Sequence, residues 1–308
     1  MKENIIALAL GCLFLLAFYS CLQDEILLKS TFDTSDSLDE NASTYTFDAW
    51  LRTSYLDTYN LDFRYKLEDV GADMNYNLVP ASTAKAVEMA KLIKFLWFDA
   101  YAAVAGPDFL KENGPRIIHL IGSPAYNPVS GTIVLGTAEG GIKVTIYRCN
   151  ELDATNIDML NEYYFKTMHH EFAHILHQKR NYPTEFSNFS IGKYNPLGWQ
   201  NKTDSEAASM GFVSPYASGQ VREDFVEIIA NYLVKSDADW NNILTMASKN
   251  GLNAKGIELP DDGIDGRTLI LRKLEMASKW LKNSWNIDIV KLRNEIMERE
   301  KTLNLEVL

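Results

Sequence analysis

The chain has 308 residues, of which 46% are hydrophobic and 23% are charged, and its formal net charge is −11. A chain of this length and composition can bury a sizeable core, in one large domain or two small ones. Because an acidic surface repels phosphate backbones, we expect no nucleic-acid partner.

The N-terminus has the layout of a bacterial lipoprotein signal. A basic start precedes an apolar run over residues 5–18, which is too short to span a bilayer comfortably but suits a signal peptide. The run ends in YSCLQDE, where Cys21 follows the small residue Ser20. We therefore predict a lipoprotein signal peptide over residues 1–20, with Cys21 lipidated as the mature N-terminus. A plain signal peptide cleaved nearby is the alternative.

The segment after the signal peptide predicts a disordered tether over residues 21–45. It is rich in Ser, Asp and Thr and poor in the apolar residues that a core needs. We expect the tether to hold one folded domain, residues 46–308, away from a membrane surface.

Within that domain the patterns predict an α+β fold. Residues 46–60 have helical spacing, and a long helix begins at Ser82, a residue suited to cap it. Short β-branched runs separated by Gly, Pro and Asn predict a small mixed sheet. These runs are 62–67, 116–122, 131–137 and 141–148, with AEGG at 138–141 closing a hairpin between the last two. From residue 156 the pattern is mainly helical, with helices expected at 156–178, 222–235, 237–249, 265–283 and 286–303.

The last predicted strand, 141–148, alternates apolar residues with Lys143, Thr145 and Tyr147. One buried and one wet face is typical of a strand at a sheet edge. We expect this edge to align an extended peptide by strand addition.

The stretch HHEFAHILHQ at 169–178 holds four of the five histidines. His170 and His174 are four apart, so a helix places both on one face, where two imidazoles can converge on one zinc ion. Glu171 is the next residue around the helix and can take a proton from a water at that metal. The pattern is HExxH, and it predicts a zinc site with Glu171 as catalytic base.

The two other histidines of this stretch are not predicted ligands. His169 lies about 100° around the helix from His170, so we expect capping or hydrogen bonding in the core. His177 shares the face of His170, but one straight helix presents three ligands in a line, whereas tetrahedral zinc needs them spread around it. His177 is expected beside the site or in contact with substrate. Arg180 stands where the extended HExxHxxGxxH pattern has its third histidine.

A third zinc ligand is expected from the helix that begins near Arg222. Glu223 and Glu227 are four apart on one face of it; Glu223 is the candidate ligand, and Glu227 the candidate partner that holds a ligating histidine. Apolar residues bury this helix, and a carboxylate near a core needs a partner. Glu206, in DSEAAS, is the competing candidate for the third ligand.

These motifs resemble those of a known family. HEFAH followed by VSPYAS and EDFVE is similar to the gluzincin peptidases, in particular to the arrangement in anthrax lethal factor. The plan of the whole chain resembles the zinc-binding metallopeptidase lipoproteins of the Bacteroidetes. The QDE after Cys21 also resembles the export signal of surface lipoproteins in that phylum.

The resemblance implies a zincin-like fold, zinc as cofactor, and a peptide or protein substrate. It implies that Tyr216, seven residues before Glu223, assists the transition state. It also implies lipid anchoring on the bacterial outer membrane, exposed at the surface, beside an importer and a substrate-binding lipoprotein in nutrient uptake. Two alternatives stay open: a zinc hydrolase of non-peptide amides or esters, and a weakly active binding component of an import complex. An intact Glu171 favours catalysis, since a pure binder has no need of the base.

Overall fold

The computed structural model describes residues 38–67, 77–126, 133–139, 141–260, 263 and 265–306. The predicted signal peptide, the lipidation residue Cys21 and most of the predicted tether lie outside these residues. The described residues from Thr46 onward form one compact unit. Across the part of the chain that the structure describes, no helix has the length and apolarity needed to cross a bilayer.

The N-terminal half supplies a helical layer. Helix α1, Tyr45–Leu51, continues as a π-helical turn, Arg52–Asp57. Helix α2, Thr83–Leu92, starts as predicted at Ser82, whose hydroxyl accepts a hydrogen bond from the backbone N–H of Lys85. A π-helical turn at Ile93–Phe98 joins α2 to α3, Asp99–Ala105, and the short helix α4 spans Phe109–Asn113.

Within the described residues, six short strands build one main sheet and one small ribbon. They are β1 (Asp62–Arg64), β2 (Ile117–Leu120), β3 (Ala125–Tyr126), β4 (Ile133–Val134), β5 (Gly136–Glu139) and β6 (Lys143–Ile146). The main sheet has the order β1-β2-β6-β5, and β3 pairs with β4 in the ribbon. Strands β1, β2 and β6 are parallel, while β5 runs antiparallel to β6. The predicted small mixed sheet is confirmed.

The prediction that strand 141–148 lies at a sheet edge is wrong. Strand β6 pairs with β2 on one side, where Val144 faces Ile118, and with β5 on the other. The alternation misled because Thr145, although polar, is only 3% exposed. A small β-branched side chain fits a central strand as well as an edge. Among the described strands, β5 is the terminal one on this side of the sheet.

The described residues after the sheet are mainly helical, as their periodicity predicts. A short helix α5, Ile157–Leu160, passes through a π-helical turn into α6, Lys166–Lys179, which carries the histidine cluster. The later helices are α7 (Asp204–Ser209), α8 (Val221–Val234), α9 (Asp237–Ala247), α10 (Gly266–Trp285) and α11 (Ile289–Lys301). Helix α6 packs against both α8 and β5.

An aromatic cluster fixes one side of α6 in the core. The ring of Phe172 lies 5.6 Å from that of Trp97, 5.2 Å from that of Tyr101 and 6.1 Å from that of Phe109, all edge to face. Such contacts add about 0.5–1.5 kcal/mol per pair beyond the burial of apolar area. With this face committed to the core, the opposite face of α6 is left for α8 and for β5.

A glycine lets β5 lie close over α6. A Cβ atom at Gly136 would come within 2.4 Å of the Thr167 methyl group on α6. Any side chain at residue 136 would therefore push the strand away from the helix. The close approach places the terminal strand of the sheet directly beside the histidine helix.

Candidate metal centre

Three predicted ligands meet between α6 and α8. Nε2 of His170 lies 3.1 Å from Oε2 of Glu223 and 3.2 Å from Nε2 of His174, and Nε2 of His174 lies 3.2 Å from the same Glu223 oxygen. Bonds of about 2.0–2.1 Å to a tetrahedral zinc place its ligand atoms roughly 3.4 Å apart. The two nitrogens and the oxygen thus fit a single zinc ion. Two imidazoles and one carboxylate are also a ligand set that zinc takes in catalytic sites.

The local sequence explains why Glu223 faces α6. Helix α8 begins after Gln220, whose side-chain amide donates a hydrogen bond to Oε1 of Glu223 over 3.1 Å. The apolar residues that bury this helix include Phe225, Ile228, Ile229 and Leu233. Burial alone would raise the pKa of Glu223, but its hydrogen bonds with His170 and His174 hold that pKa far below its usual range. The oxygen between the histidines is therefore negatively charged at neutral pH.

Glu227 holds the first histidine from behind. Its Oε1 lies 2.9 Å from Nδ1 of His170, and its Oε2 accepts hydrogen bonds from the hydroxyl of Ser214 and the amide of Asn231. Burial alone would raise the pKa of Glu227, but the hydrogen bond from His170 contributes most to lowering it to about 2. A charged carboxylate here fixes the His170 ring with Nε2 toward the centre. The structure thus brings Glu227 to the position that the sequence predicts for it.

The remaining histidines of α6 have separate surroundings. His169 is 1% exposed and its Nδ1 lies 3.1 Å from the Tyr101 hydroxyl in the aromatic core, away from the centre. Nε2 of His177 lies 2.9 Å from Nδ1 of His174. Desolvation first, and then the neighbouring His174, lower the pKa of His177 to about 4, so its ring is neutral.

A cleft of about 580 Å³ opens onto the centre. Strand residues Ile133 to Gly136 form one wall, and the start of α6 with His170 and Glu171 forms the floor. Trp199, Pro215 and Tyr216 close the other side. Glu171 lines this cleft and is partly exposed, as a group that meets water and substrate must be.

Tyr216 stands at the rim of the same cleft, in the 3₁₀ turn Tyr216–Ser218. Its ring centroid lies 5.8 Å from that of His170 and 4.9 Å from that of Trp199, which meets it edge to face. Loss of solvent first, and then the negative charge of Glu223, raise the pKa of Tyr216 well above its usual range. The phenol therefore keeps its proton at neutral pH and can donate it in a hydrogen bond.

Glu206, the competing third ligand, is not brought to this centre. It lies in α7, where its carboxylate is 3.9 Å from the Lys202 ammonium group. Among the described residues, the cluster whose ligand atoms converge within 4.8 Å is that of His170, His174 and Glu223.

A residue that the sequence reasoning missed supports the ligand helix. Lys273 of α10 is fully buried; its ammonium group lies 2.7 Å from Oδ2 of Asp224 and donates to the carbonyl of Gly211 over 2.7 Å. Asp224 directly follows Glu223, so this buried pair ties α10 to the first turn of α8. A signal was available: Lys273 sits on the apolar stripe of α10 with Ile270 and Ala277, and a buried lysine needs a carboxylate partner.

Comparisons with known proteins agree with this arrangement. The profile of the family described as "Putative zinc-binding metallo-peptidase" matches residues 40–290. The fold is similar to the crystal structure of a "putative zinc-binding metallo-peptidase" from Bacteroides caccae, with 43% sequence identity, a TM-score of 0.71, and coverage of 90% of this chain and 98% of that chain. A search of curated proteins finds no match.

The family, the zincin-like α+β fold and the zinc cofactor predicted from the sequence are confirmed. Because the matched segment covers most of the chain, this protein belongs to the family of zinc-binding metallo-peptidases.

Proposed function

We propose that this protein is a zinc-dependent peptidase whose centre is formed by His170, His174 and Glu223, with Glu171 as general base and Tyr216 as hydrogen-bond donor. The observation that carries the proposal is the convergence of three ligand atoms at 3.1–3.2 Å beside a cleft that His170 and Glu171 line. A purely structural zinc site would have four protein ligands, whereas three leave a position for reaction.

The chemistry divides among the residues of the cleft. A bound zinc lowers the pKa of water to about 7 and polarises a carbonyl group. Glu171 takes the proton from the attacking water and delivers it to the departing amine as the peptide bond breaks. The hydroxyl group of Tyr216 donates a hydrogen bond to the carbonyl oxygen as negative charge develops there. Glu227 keeps His170 in one orientation throughout.

The position of strand β5 is an argument for a peptide substrate rather than another kind of amide. It is the terminal strand of the main sheet, and Gly136 and the residues before it line the cleft. An extended peptide can add to such an edge by main-chain hydrogen bonds. The strand-addition role that we predicted for 141–148 therefore passes to β5, which lies over α6.

Digestion of a peptide library by the purified protein, with and without a chelator, tests the proposal. Chelator-sensitive cleavage that returns when zinc is restored is the expected result. Zinc content without cleavage of any peptide would contradict the peptidase assignment. It would favour a zinc hydrolase of non-peptide amides or esters, or a weakly active binding component of an import complex.

We further propose that Cys21 anchors the protein to the bacterial outer membrane, exposed at the surface beside an importer of nutrients and its substrate-binding lipoprotein. The support is the signal-like segment and the QDE that follows it. Cys21→Ala should move the protein from the membrane fraction to the soluble fraction, since acyl chains would supply the anchor. Wild-type protein found without a lipid would contradict this proposal.

Tyr216→Phe tests the hydrogen-bond donor. The variant keeps the ring that contacts Trp199 and His170 and removes only the hydroxyl group. Because the phenol acts on the oxyanion, we expect kcat to fall about 10²–10³-fold, with KM, zinc content and thermal stability nearly unchanged. A stability loss with intact kcat would show that Tyr216 serves packing instead.

A further inference from the structure

The two histidines of the centre are held from behind by chemically different partners. Nδ1 of His170 meets a charged carboxylate, Glu227, at 2.9 Å. Nδ1 of His174 meets another imidazole, that of His177, also at 2.9 Å. His177 follows His174 by three residues, so both lie on one side of the last turns of α6.

The position of His174 determines which ring donates. Its Nε2 points to the ligand cluster, 3.2 Å from both Glu223 Oε2 and His170 Nε2. A histidine nitrogen that binds a metal carries no proton, so the proton of the neutral ring resides on Nδ1. His174 then donates from Nδ1, and Nε2 of His177 accepts. This bond fixes both the tautomer and the rotation of the His174 ring.

His177 is itself held by aromatic contacts that connect it to α8, the helix that carries Glu223. Its ring meets that of Tyr182 edge to face at 5.4 Å. Tyr182 stacks on Phe225 with 4.2 Å between ring centroids and 17° between planes. Phe225 is fully buried in α8, two residues after Glu223. These contacts compensate for the position of His177 near the end of α6, since terminal helical turns fray.

We propose that His177 is a positioning residue, which accepts the Nδ1–H hydrogen bond of His174 and aims the second nitrogen ligand at the metal. The inference rests on the proposed zinc-binding roles of His170, His174 and Glu223. It assigns no metal bond to His177, so the protein still binds one zinc ion per chain without it. What His177 contributes is affinity and a defined ligand orientation.

Two substitutions at residue 177 separate the hydrogen bond from packing. His177→Phe keeps a ring against Tyr182 but has no acceptor, while His177→Gln keeps an acceptor at a similar reach without the ring. Gln178→Ala, at the exposed neighbouring residue of the same turn, is the control. For each full-length variant, the zinc dissociation constant is measured by competition with a chromogenic chelator. The visible spectrum of the cobalt-substituted protein reports ligand orientation, and the melting temperature of the zinc-free protein reports folding.

His177→Phe should weaken zinc binding about 10–100-fold and shift the cobalt bands, with one zinc per chain still bound at saturation. His177→Gln should recover most of the affinity and the wild-type bands, and Gln178→Ala should match wild type. Wild-type affinity and spectrum in His177→Phe would overturn the inference, as would equal losses in the Phe and Gln variants, which indicate packing.

None of these measurements requires turnover. A wild-type protein that binds zinc but cleaves no peptide refutes the proposed function and leaves the positioning role to be decided by the same series. A wild-type protein that binds neither zinc nor cobalt overturns both.

Discussion

Glu171→Gln is expected to lower turnover sharply while leaving zinc in place. Glutamine preserves the size of the side chain and one acceptor oxygen, but its amide replaces the second oxygen with an NH2 group and cannot take a proton from water. General acid–base catalysis is typically worth about 10²–10⁴-fold in rate, so kcat should fall by that factor. Glu171 is not among the three converging residues, so elemental analysis should still find one zinc per chain.

The matched control for Glu171→Gln is Glu162→Gln. Glu162 lies one segment earlier, in the π-helical turn before α6, and its carboxylate binds Lys166 and Lys235 rather than facing the ligand cluster. The control should keep kcat near that of wild type. Full activity of Glu171→Gln would show that another group takes the proton, and loss of zinc from it would show that Glu171 holds the metal.

Helical periodicity and residue spacing were enough to predict the two histidine ligands. One turn of helix separates His170 from His174 whatever surrounds it, so their convergence is a local property of the sequence. Glu223 required more, because it comes from a distant segment. The sequence indicates that the helix of Glu223 is buried, and a buried carboxylate needs a partner. Only the packing of α8 on α6 shows which partner it has, with Oε2 3.2 Å from Nε2 of His174.

The features that sequence reasoning missed depend on tertiary context. Thr145 is polar and β-branched, and either an edge or a central strand accepts it, so the pairing of β6 on both sides could not be deduced from alternation. The contact between His177 and His174 follows from side-chain rotamers, which spacing alone does not determine. The position of Lys273 on an apolar stripe indicates that it needs a carboxylate partner. That partner, Asp224, lies 49 positions earlier in the chain and could not be identified from the sequence.

Glu223→Ala is expected to produce the largest loss of zinc affinity. The change reduces three protein ligands to two and leaves His170 and His174 without the carboxylate that lies 3.1 and 3.2 Å from them. Zinc sites in proteins have four protein ligands when structural and three when catalytic, so a site with two should lose the metal on dialysis, and turnover with it. Glu227→Gln leaves all three ligands in place and weakens the support behind His170, so it should reduce affinity about 10–100-fold and give a graded comparison.

Thermal unfolding measures the Glu223→Ala effect without any substrate. Zinc that binds only the folded state stabilises it, by about 2.7 kcal/mol when free zinc is 100 times the dissociation constant. Adding zinc should therefore raise the melting temperature of wild type, raise that of Glu227→Gln at higher concentrations, and leave that of Glu223→Ala unchanged. A Glu223→Ala protein that retains the wild-type zinc-dependent shift would place the third ligand elsewhere.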